Sequence, residues 1–224
     1  MIPYTLTRSN RRTIALHIRD GQLEVRAPLR TPTHEIERFI TQKSGWIAGK
    51  LRKSSEQFAQ REAFALTYGD NILCRGKAFP ITAGDGSRIG FDGGCFYMPP
   101  NLTSSEIKAV CIKIYRLLAK QYIPERVRII AADMGVAPSS VKINSAKTCW
   151  GSCSGKKSLN FSWLLIMADD AVIDYVVVHE LAHITEMNHS AKFWTVVAAT
   201  MPDYLEHKAA LKRLQQRLST ENWS

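Results

Sequence analysis

A short histidine motif inside a strongly apolar segment places the tightest limit on how this chain folds. Residues 179–183 read His-Glu-Leu-Ala-His. On a helix, side chains four positions apart lie on one face about 6 Å apart, so His179 and His183 are predicted to be neighbours. Glu180 follows about 100° further round the helix. The segment is apolar on every side, which is typical of a buried helix, and buried ionisable groups are costly unless they are paired or metal-bound.

A third histidine follows this motif. His189 comes six residues after His183, which is the spacing at which metzincins supply a third metal ligand. The metzincin pattern has Gly midway, where it permits a left-handed turn, whereas this chain has Glu186. We therefore expect either a left-handed Asn188, a conformation that Asn tolerates, or an exit from the helix by another geometry. The spacing predicts a metal site formed by His179, His183 and His189.

The residue types in this motif indicate a particular chemistry. Neutral imidazoles are zinc ligands, and a site with three protein ligands keeps one position open for catalysis. A carboxylate beside such an ion can take a proton from the water that the ion activates. We therefore predict zinc, or another divalent cation because histidine sites accept several, with Glu180 as the general base. Phe193 and Trp194 are expected to pack the next helix against this site.

The first half of the chain is predicted to be rich in strands. Alternating apolar residues over 13–26 predict a hairpin that turns at Asp20-Gly21. Helical spacing predicts a helix or helix pair over about 33–60. Short apolar segments separated by Gly and Asp over 65–98 predict a β-meander. We expect residues 1–100 to form a β-rich subdomain with this helical insertion.

The second half is predicted to be rich in helices. Thr103 to Glu106 has the sequence of a capping box that opens a long helix. The remaining predicted elements are strands over 141–150 and 158–163, followed by helices over 170–184, 190–200 and 203–218. We expect an α+β fold in which residues 101–224 form a helix-rich metal-binding domain.

Composition limits the cellular setting and the partners. The 224 residues carry 30 Lys and Arg against 20 Asp and Glu, a formal charge of +10, and 45% are hydrophobic, as in globular proteins. The sequence has no apolar run of the ~18–20 residues that a membrane span needs and no signal-peptide core, so we expect a cytoplasmic protein with no membrane partner. Five cysteines in a chain of this length indicate reduced thiols. The basic charge keeps nucleic acid open as a partner through a basic surface.

The motifs around the histidines resemble the YgjP-like metallopeptidase-domain family, which is related to the SprT-type metalloproteases. The residues that carry the resemblance are Trp150-Gly151-Ser152-Cys153-Ser154, Leu159-Asn160, Asp174 through His183, Asn188-His189-Ser190, Phe193-Trp194 and Pro202-Asp203-Tyr204. The resemblance is dense over 144–214 and looser over the rest of the chain. It implies a zincin-like domain in which His179, His183 and His189 bind the metal and Glu180 is the base.

Three further residues are candidates for substrate binding. Trp150 and Gly151 precede the motif helix, where zincins place an edge strand that pairs with a peptide by strand addition. Tyr204 is a candidate donor to an oxyanion. Each also has a structural interpretation, since aromatic residues mostly fill cores and Tyr204 lies on an apolar helical stripe. Cys149 stands where the family usually has Arg, so any contact that this Arg makes with an anionic group is not expected here.

These observations predict a zinc-dependent metallohydrolase, a peptidase that acts on peptides or proteins, and they leave two alternatives open. One is a metal-dependent nucleotide pyrophosphohydrolase whose basic surface holds the triphosphate. The sequence contains no Walker-type Gly-rich loop, and such enzymes favour Mg²⁺ on carboxylates. The other is a nucleic-acid-binding module with a structural metal site, for which Glu186 or a cysteine would supply the fourth ligand.

Overall fold

The computed structural model describes residues 2–84 and 86–223. Within these residues the chain forms ten strands in three small sheets, six α-helices and one 3-10 helix, so the expected α+β class is confirmed. The chain divides into two compact units, one reaching to Phe64 and including Arg217–Asn222, the other spanning Ala65–Gln216 with Trp223. The expected division into domains at residue 100 stays a prediction.

The first unit contains a three-stranded sheet and two helices. Its strands are β1 (Thr5–Ser9), β2 (Ala15–Arg19) and β3 (Gln22–Pro28), in the order β1-β3-β2. β2 and β3 are antiparallel, and both turn residues, Asp20 and Gly21, have positive φ of 50° and 75°, so the predicted hairpin is confirmed. The helices are α1 (Thr33–Gln42) and α2 (Ser44–Ala63). Buried isoleucines of both helices belong to the same apolar core as β3.

The second unit begins with a four-stranded sheet. Its strands are β4 (Asn71–Cys74), β5 (Lys77–Ala83), β6 (Gly90–Phe91) and β7 (Phe96–Met98), in the order β4-β5-β7-β6. The prediction of a β-meander over 65–98 is wrong, because β5 pairs with β7 in parallel and the two-residue β6 lies outside β7 at the sheet edge.

A long helix, α3 (Ser104–Asp133), follows and packs on the elements that carry the histidine motif. It begins with the predicted capping box, in which the Glu106 amide donates to Thr103 Oγ1 at 3.4 Å and the Thr103 amide donates to Glu106 Oε2 at 2.8 Å. These bonds satisfy two donors that the first turn of a helix leaves unpaired.

A third sheet precedes the motif helix. Its strands are β8 (Ser140–Asn144), β9 (Gly151–Cys153) and β10 (Ser158–Ser162), with β10 in the middle and β9 at one edge. The single strand expected over 141–150 is wrong, because β8 ends where Asn144 Oδ1 accepts from the Ala146 amide and turns the chain. β9 packs against the motif helix.

The remaining elements of the described chain are helical. A 3-10 helix (Trp163–Met167) leads into α4 (Asp170–Ala182), α5 (Ala191–Thr200) and α6 (Tyr204–Leu218). Of the helices in the described residues, none combines the length and the hydropathy that a membrane crossing requires. All five cysteines are free thiols, as expected.

Candidate metal centre

The motif lies at the C-terminal end of α4, a helix that is buried on almost all sides. Asp169 caps its N-terminus by accepting a hydrogen bond from the Val172 amide at 2.9 Å. The described residues of α4 that are buried include four valines, Ile173 and Leu181, which confirms the buried helix predicted from the apolar pattern. Neighbouring elements therefore hold the backbone that carries His179 and Glu180 on nearly every side.

The fold brings the three predicted histidines together. The rings of His179 and His183, one turn apart on α4, have centres 5.1 Å apart. His189 reaches back so that its Nε2 lies 3.0 Å from His179 Nε2, and its ring centre lies 4.7 Å from that of His183. One ligand atom from each histidine lies within 4.8 Å of the other two.

The chain reaches His189 by a tight exit from α4. The Ile184 amide donates to the Leu181 carbonyl at 2.9 Å, and the Glu186 amide donates to the Ala182 carbonyl at 2.9 Å. Among the described residues, Asn188 is not one of those with positive φ. Of the two expected geometries, the left-handed Asn188 is therefore wrong. The chain leaves the helix in the other way, by a turn that these two hydrogen bonds close.

Hydrogen bonding and burial distinguish the two ring nitrogens of His183 and of His179. His183 Nδ1 lies 3.1 Å from the Glu186 carbonyl, and since a carbonyl only accepts, Nδ1 carries the proton and Nε2 keeps a lone pair. His179 Nδ1 is buried and has no hydrogen-bond partner in the described part of the chain.

The electrostatics of the cluster favour neutral imidazoles. Burial, and then the charges of the two neighbouring histidines and of Lys208, lower the pKa of His179 to about 4. Burial also lowers the pKa of His183. Because a metal ion binds only the neutral imidazole, the cluster needs little proton release before it can accept a cation.

Glu180 occupies a tight space next to β9. Its side chain is 5% exposed, and burial raises the pKa of its carboxyl to about 7. A Cβ atom at Gly151 would lie 2.6 Å from Glu180 Cγ and 2.7 Å from Oε1. Gly151 is therefore the residue that makes room for the carboxylate, because any other side chain there would collide with it.

A stack of aromatic rings borders the cluster. The Trp194 ring of α5 lies nearly parallel to His189, with centres 5.9 Å apart, and nearly parallel to Tyr204 of α6, with centres 5.3 Å apart. Tyr204 in turn stacks on Tyr175 at 6.5 Å, and Tyr175 meets His179 edge-on at 6.1 Å. The expected packing of Trp194 against the site is confirmed, and Phe193 also contacts all three histidine rings.

The substrate-binding candidates lie at different distances from the histidines. Gly151 leaves no space for a Cβ beside Glu180, whereas the Trp194 ring lies between Tyr204 and His189, stacked on both. The Trp150 carbonyl accepts from the Ser162 amide at 2.9 Å, and no ring contact joins Trp150 to a histidine within the described residues.

Sequence reasoning missed one neighbour of the cluster. Lys208 lies four residues after Tyr204, with its Nζ 4.6 Å from the Trp194 ring centre. The i, i+4 neighbour relation on a helix, applied outward from Tyr204, would have found it. The same relation does place Tyr175, four residues before His179, on the side of α4 that carries the histidines.

The donor set fits a divalent cation. Zinc–nitrogen bonds of about 2.0–2.1 Å in tetrahedral geometry separate two ligand nitrogens by about 3.3 Å. The 3.0 Å between Nε2 of His179 and Nε2 of His189 is close to that value. The three imidazoles suit zinc and related ions, which nitrogen ligands favour over Mg²⁺ or Ca²⁺.

Comparison with known proteins supplies the family. No curated protein sequence matches the chain. The solved structures similar to it include two metallopeptidase zymogens. Abylysin of Pyrococcus abyssi has 20% identity and a TM-score of 0.39, over 45% of this chain and 97% of that one. Jannalysin of Methanocaldococcus jannaschii has 24% identity and a TM-score of 0.38, over 44% and 98%. The YgjP-like metallopeptidase domain family matches residues 12–214, and since this is most of the chain, the protein belongs to that family.

Proposed function

We propose that the protein is a zinc-dependent peptidase in which His179, His183 and His189 hold the ion and Glu180 is the general base. The observation that carries the proposal is the convergence of three imidazoles beside a buried carboxylate, with Nε2 of His179 and His189 3.0 Å apart. The family supports peptides or proteins as the substrate class. Within the proposal, the second unit is a zincin-like domain.

Each residue of the cluster has a separate task in this proposal. A zinc ion on three imidazoles would activate a water molecule and polarise a scissile carbonyl. Glu180, whose pKa burial raises to about 7, takes the proton of the attacking water and passes it to the leaving amine. A carboxylate with that pKa suits both steps near neutral pH. The Glu186 carbonyl fixes the ring of His183 through Nδ1.

We propose that substrate binds along β9. This three-residue strand has one edge paired to β10 and lies at the edge of its sheet, so its free edge offers backbone donors and acceptors to an extended peptide. Trp150 and Gly151 begin this segment, and Gly151 places it against Glu180. Tyr204, one ring away from His189, is the proposed donor to the developing oxyanion.

The test compares the wild-type protein with Glu180→Gln after loading with zinc. We expect both proteins to bind one equivalent of zinc, and the variant to lose more than about 1,000-fold in peptide hydrolysis because the general base is gone. Metal analysis and cleavage of a mixed peptide library are the measurements. Hydrolysis by the variant at the wild-type rate would show that Glu180 is not the base.

Two further assays test the alternatives. A nucleotide panel with zinc or Mg²⁺ tests pyrophosphohydrolase activity, and salt-dependent DNA binding without hydrolysis of any peptide would favour a nucleic-acid-binding module. Nucleic acid as a partner, cytoplasmic localisation and the preference for zinc over another divalent ion stay predictions.

A further inference from the structure

The ammonium group of Lys208 lies over the Trp194 ring, which borders the histidine cluster. Lys208 Nζ lies 4.6 Å from the centre of the Trp194 ring. The same ring has its centre 5.8 Å from that of His179 and 5.9 Å from that of His189. Lys208 follows Tyr204 by one turn of α6, and Tyr204 stacks on Trp194 at 5.3 Å, so this face of α6 is directed at the cluster.

Lys208 is exposed, and no carboxylate in the described part of the chain forms an ion pair with its ammonium group. The nearby Asp203 pairs with His207 instead, at 3.1 Å. The Trp194 ring beneath the ammonium lies against both His179 and His189, so the charge stands at the border of the cluster.

A positive charge in this place opposes the binding of a divalent cation, because like charges repel. The repulsion is offset when an anionic group lies between the ammonium and the ion. We infer that Lys208 binds a carboxylate of the substrate next to the scissile bond, either a C-terminal carboxylate or an acidic side chain. This inference rests on the proposed function, since it assigns the substrate class of the same site.

The geometry suits such a role. An ammonium on a flexible stem is a mobile point charge with three donors, and the Trp194 ring holds it near the histidines by a cation–π contact. An exposed ion pair of this kind contributes modestly to affinity. The expected effect is therefore a several-fold preference for acidic over neutral substrates of the same shape.

The experiment uses small metal-binding probes that differ only in charge. Succinic and glutaric monohydroxamic acids carry a carboxylate at the far end, and their terminal amides are neutral equivalents. We expect the zinc-loaded wild-type protein to bind at least one acid about 5-fold more tightly than its amide in calorimetry. Lys208→Met should abolish this preference, and Lys208→Glu should reverse it. Lys212→Met, which removes an exposed lysine one turn further along α6, is the matched control and should keep it.

The outcomes separate the two proposals. If the amides bind and the acids bind no better, or if Lys208→Met keeps the preference, the inference on Lys208 is wrong while the metal site stands. If no hydroxamate binds to protein that contains zinc, the open metal site itself is wrong. Zinc titration of each variant provides a second measurement, in which Lys208→Met should bind zinc at least as tightly as the wild-type protein because a like charge is lost.

A pair of peptides then identifies the source of the carboxylate. One ends in a free carboxylate and has neutral side chains, and the other is amidated and carries Glu at its last position. Binding to zinc-loaded Glu180→Gln, with and without Lys208→Met, is the measurement. The peptide that loses affinity on Lys208→Met carries the recognised group, and no loss for either peptide would overturn the inference.

Discussion

The two halves of the histidine cluster are held in place by different forces. The helical half, His179, Glu180 and His183, lies on α4, whose surroundings are packed on nearly every side. The turn half, His189, is exposed and is held by ring contacts, chiefly with Trp194 and Phe193. One part of this metal site is therefore fixed by the core, while another part depends on a few surface contacts.

The largest expected effect comes from removing the turn half. His189→Ala should lower zinc affinity by more than about 100-fold, beyond the about 10–100-fold cost of losing an outer-shell partner. The metal-free protein should keep its stability within about 0.5 kcal/mol, because the side chain is exposed. Chelator competition and urea unfolding are the measurements. A lower unfolding midpoint without metal would show that His189 also supports the fold.

In the helical half, substitution of Glu180 should change the stability of the metal-free protein, unlike substitution of His189. Burial raises the pKa of Glu180 from 4.5 to about 7, so the folded protein binds this proton more tightly than the unfolded chain. The resulting stabilisation is full below pH 4.5 and is lost as the pH rises through 7. Glu180→Gln should therefore stabilise the metal-free protein at pH 8 by up to about 3 kcal/mol.

This gain should shrink as the pH falls from 7 towards 4.5, since the wild-type carboxyl then becomes neutral in the folded protein. Urea unfolding of both metal-free proteins at pH 8 and pH 5 is the measurement. An equal gain at both pH values would contradict a raised pKa for Glu180.

Gly151→Ala tests how tightly the helical half is packed. The new Cβ would lie 2.6 Å from Glu180 Cγ, and we expect a loss of about 2 kcal/mol in stability, as for other overpacked sites. Gly155→Ala is the control, because nothing lies within 4 Å of its Cβ position and its φ is ordinary. Equal effects of the two substitutions in urea unfolding would mean that the contact with Glu180 is easily relieved.

The smallest expected effect concerns the support of the turn half. Trp194→Leu removes the ring that stacks on His189 and should lower zinc affinity by about 10-fold. Trp194→Phe, which retains a ring, should recover most of that affinity. Trp46→Leu is the control, because this tryptophan is 50% exposed and belongs to the other unit. A Co²⁺ spectrum that is the same in Trp194→Leu and the wild-type protein would argue against positioning of His189.

Local features of the fold could be predicted from the sequence. The hairpin follows from Asp20-Gly21, whose residues adopt positive φ easily. The start of α3 follows from its capping box. The parallel pairing of β5 with β7 could not be predicted, because it joins segments that only the tertiary fold brings together.

For the site too, the sequence predicts only what local spacing determines. The proximity of His179 and His183 follows from helical spacing, and that of His189 from its distance along the chain. The contact of Gly151 with Glu180 joins residues of a strand and a helix 29 positions apart, so no local pattern contains it. The sequence does not decide between the two geometries expected for the exit from α4, because a pattern without Gly does not show which turn the chain adopts.

The hydrogen bond that orients His183 comes from the main chain of residue 186. Substitution of Glu186 by another residue leaves that carbonyl in place. The charge at position 186 can therefore change without loss of the His183 ring orientation. Proline is the exception, because the Glu186 amide must donate to the Ala182 carbonyl.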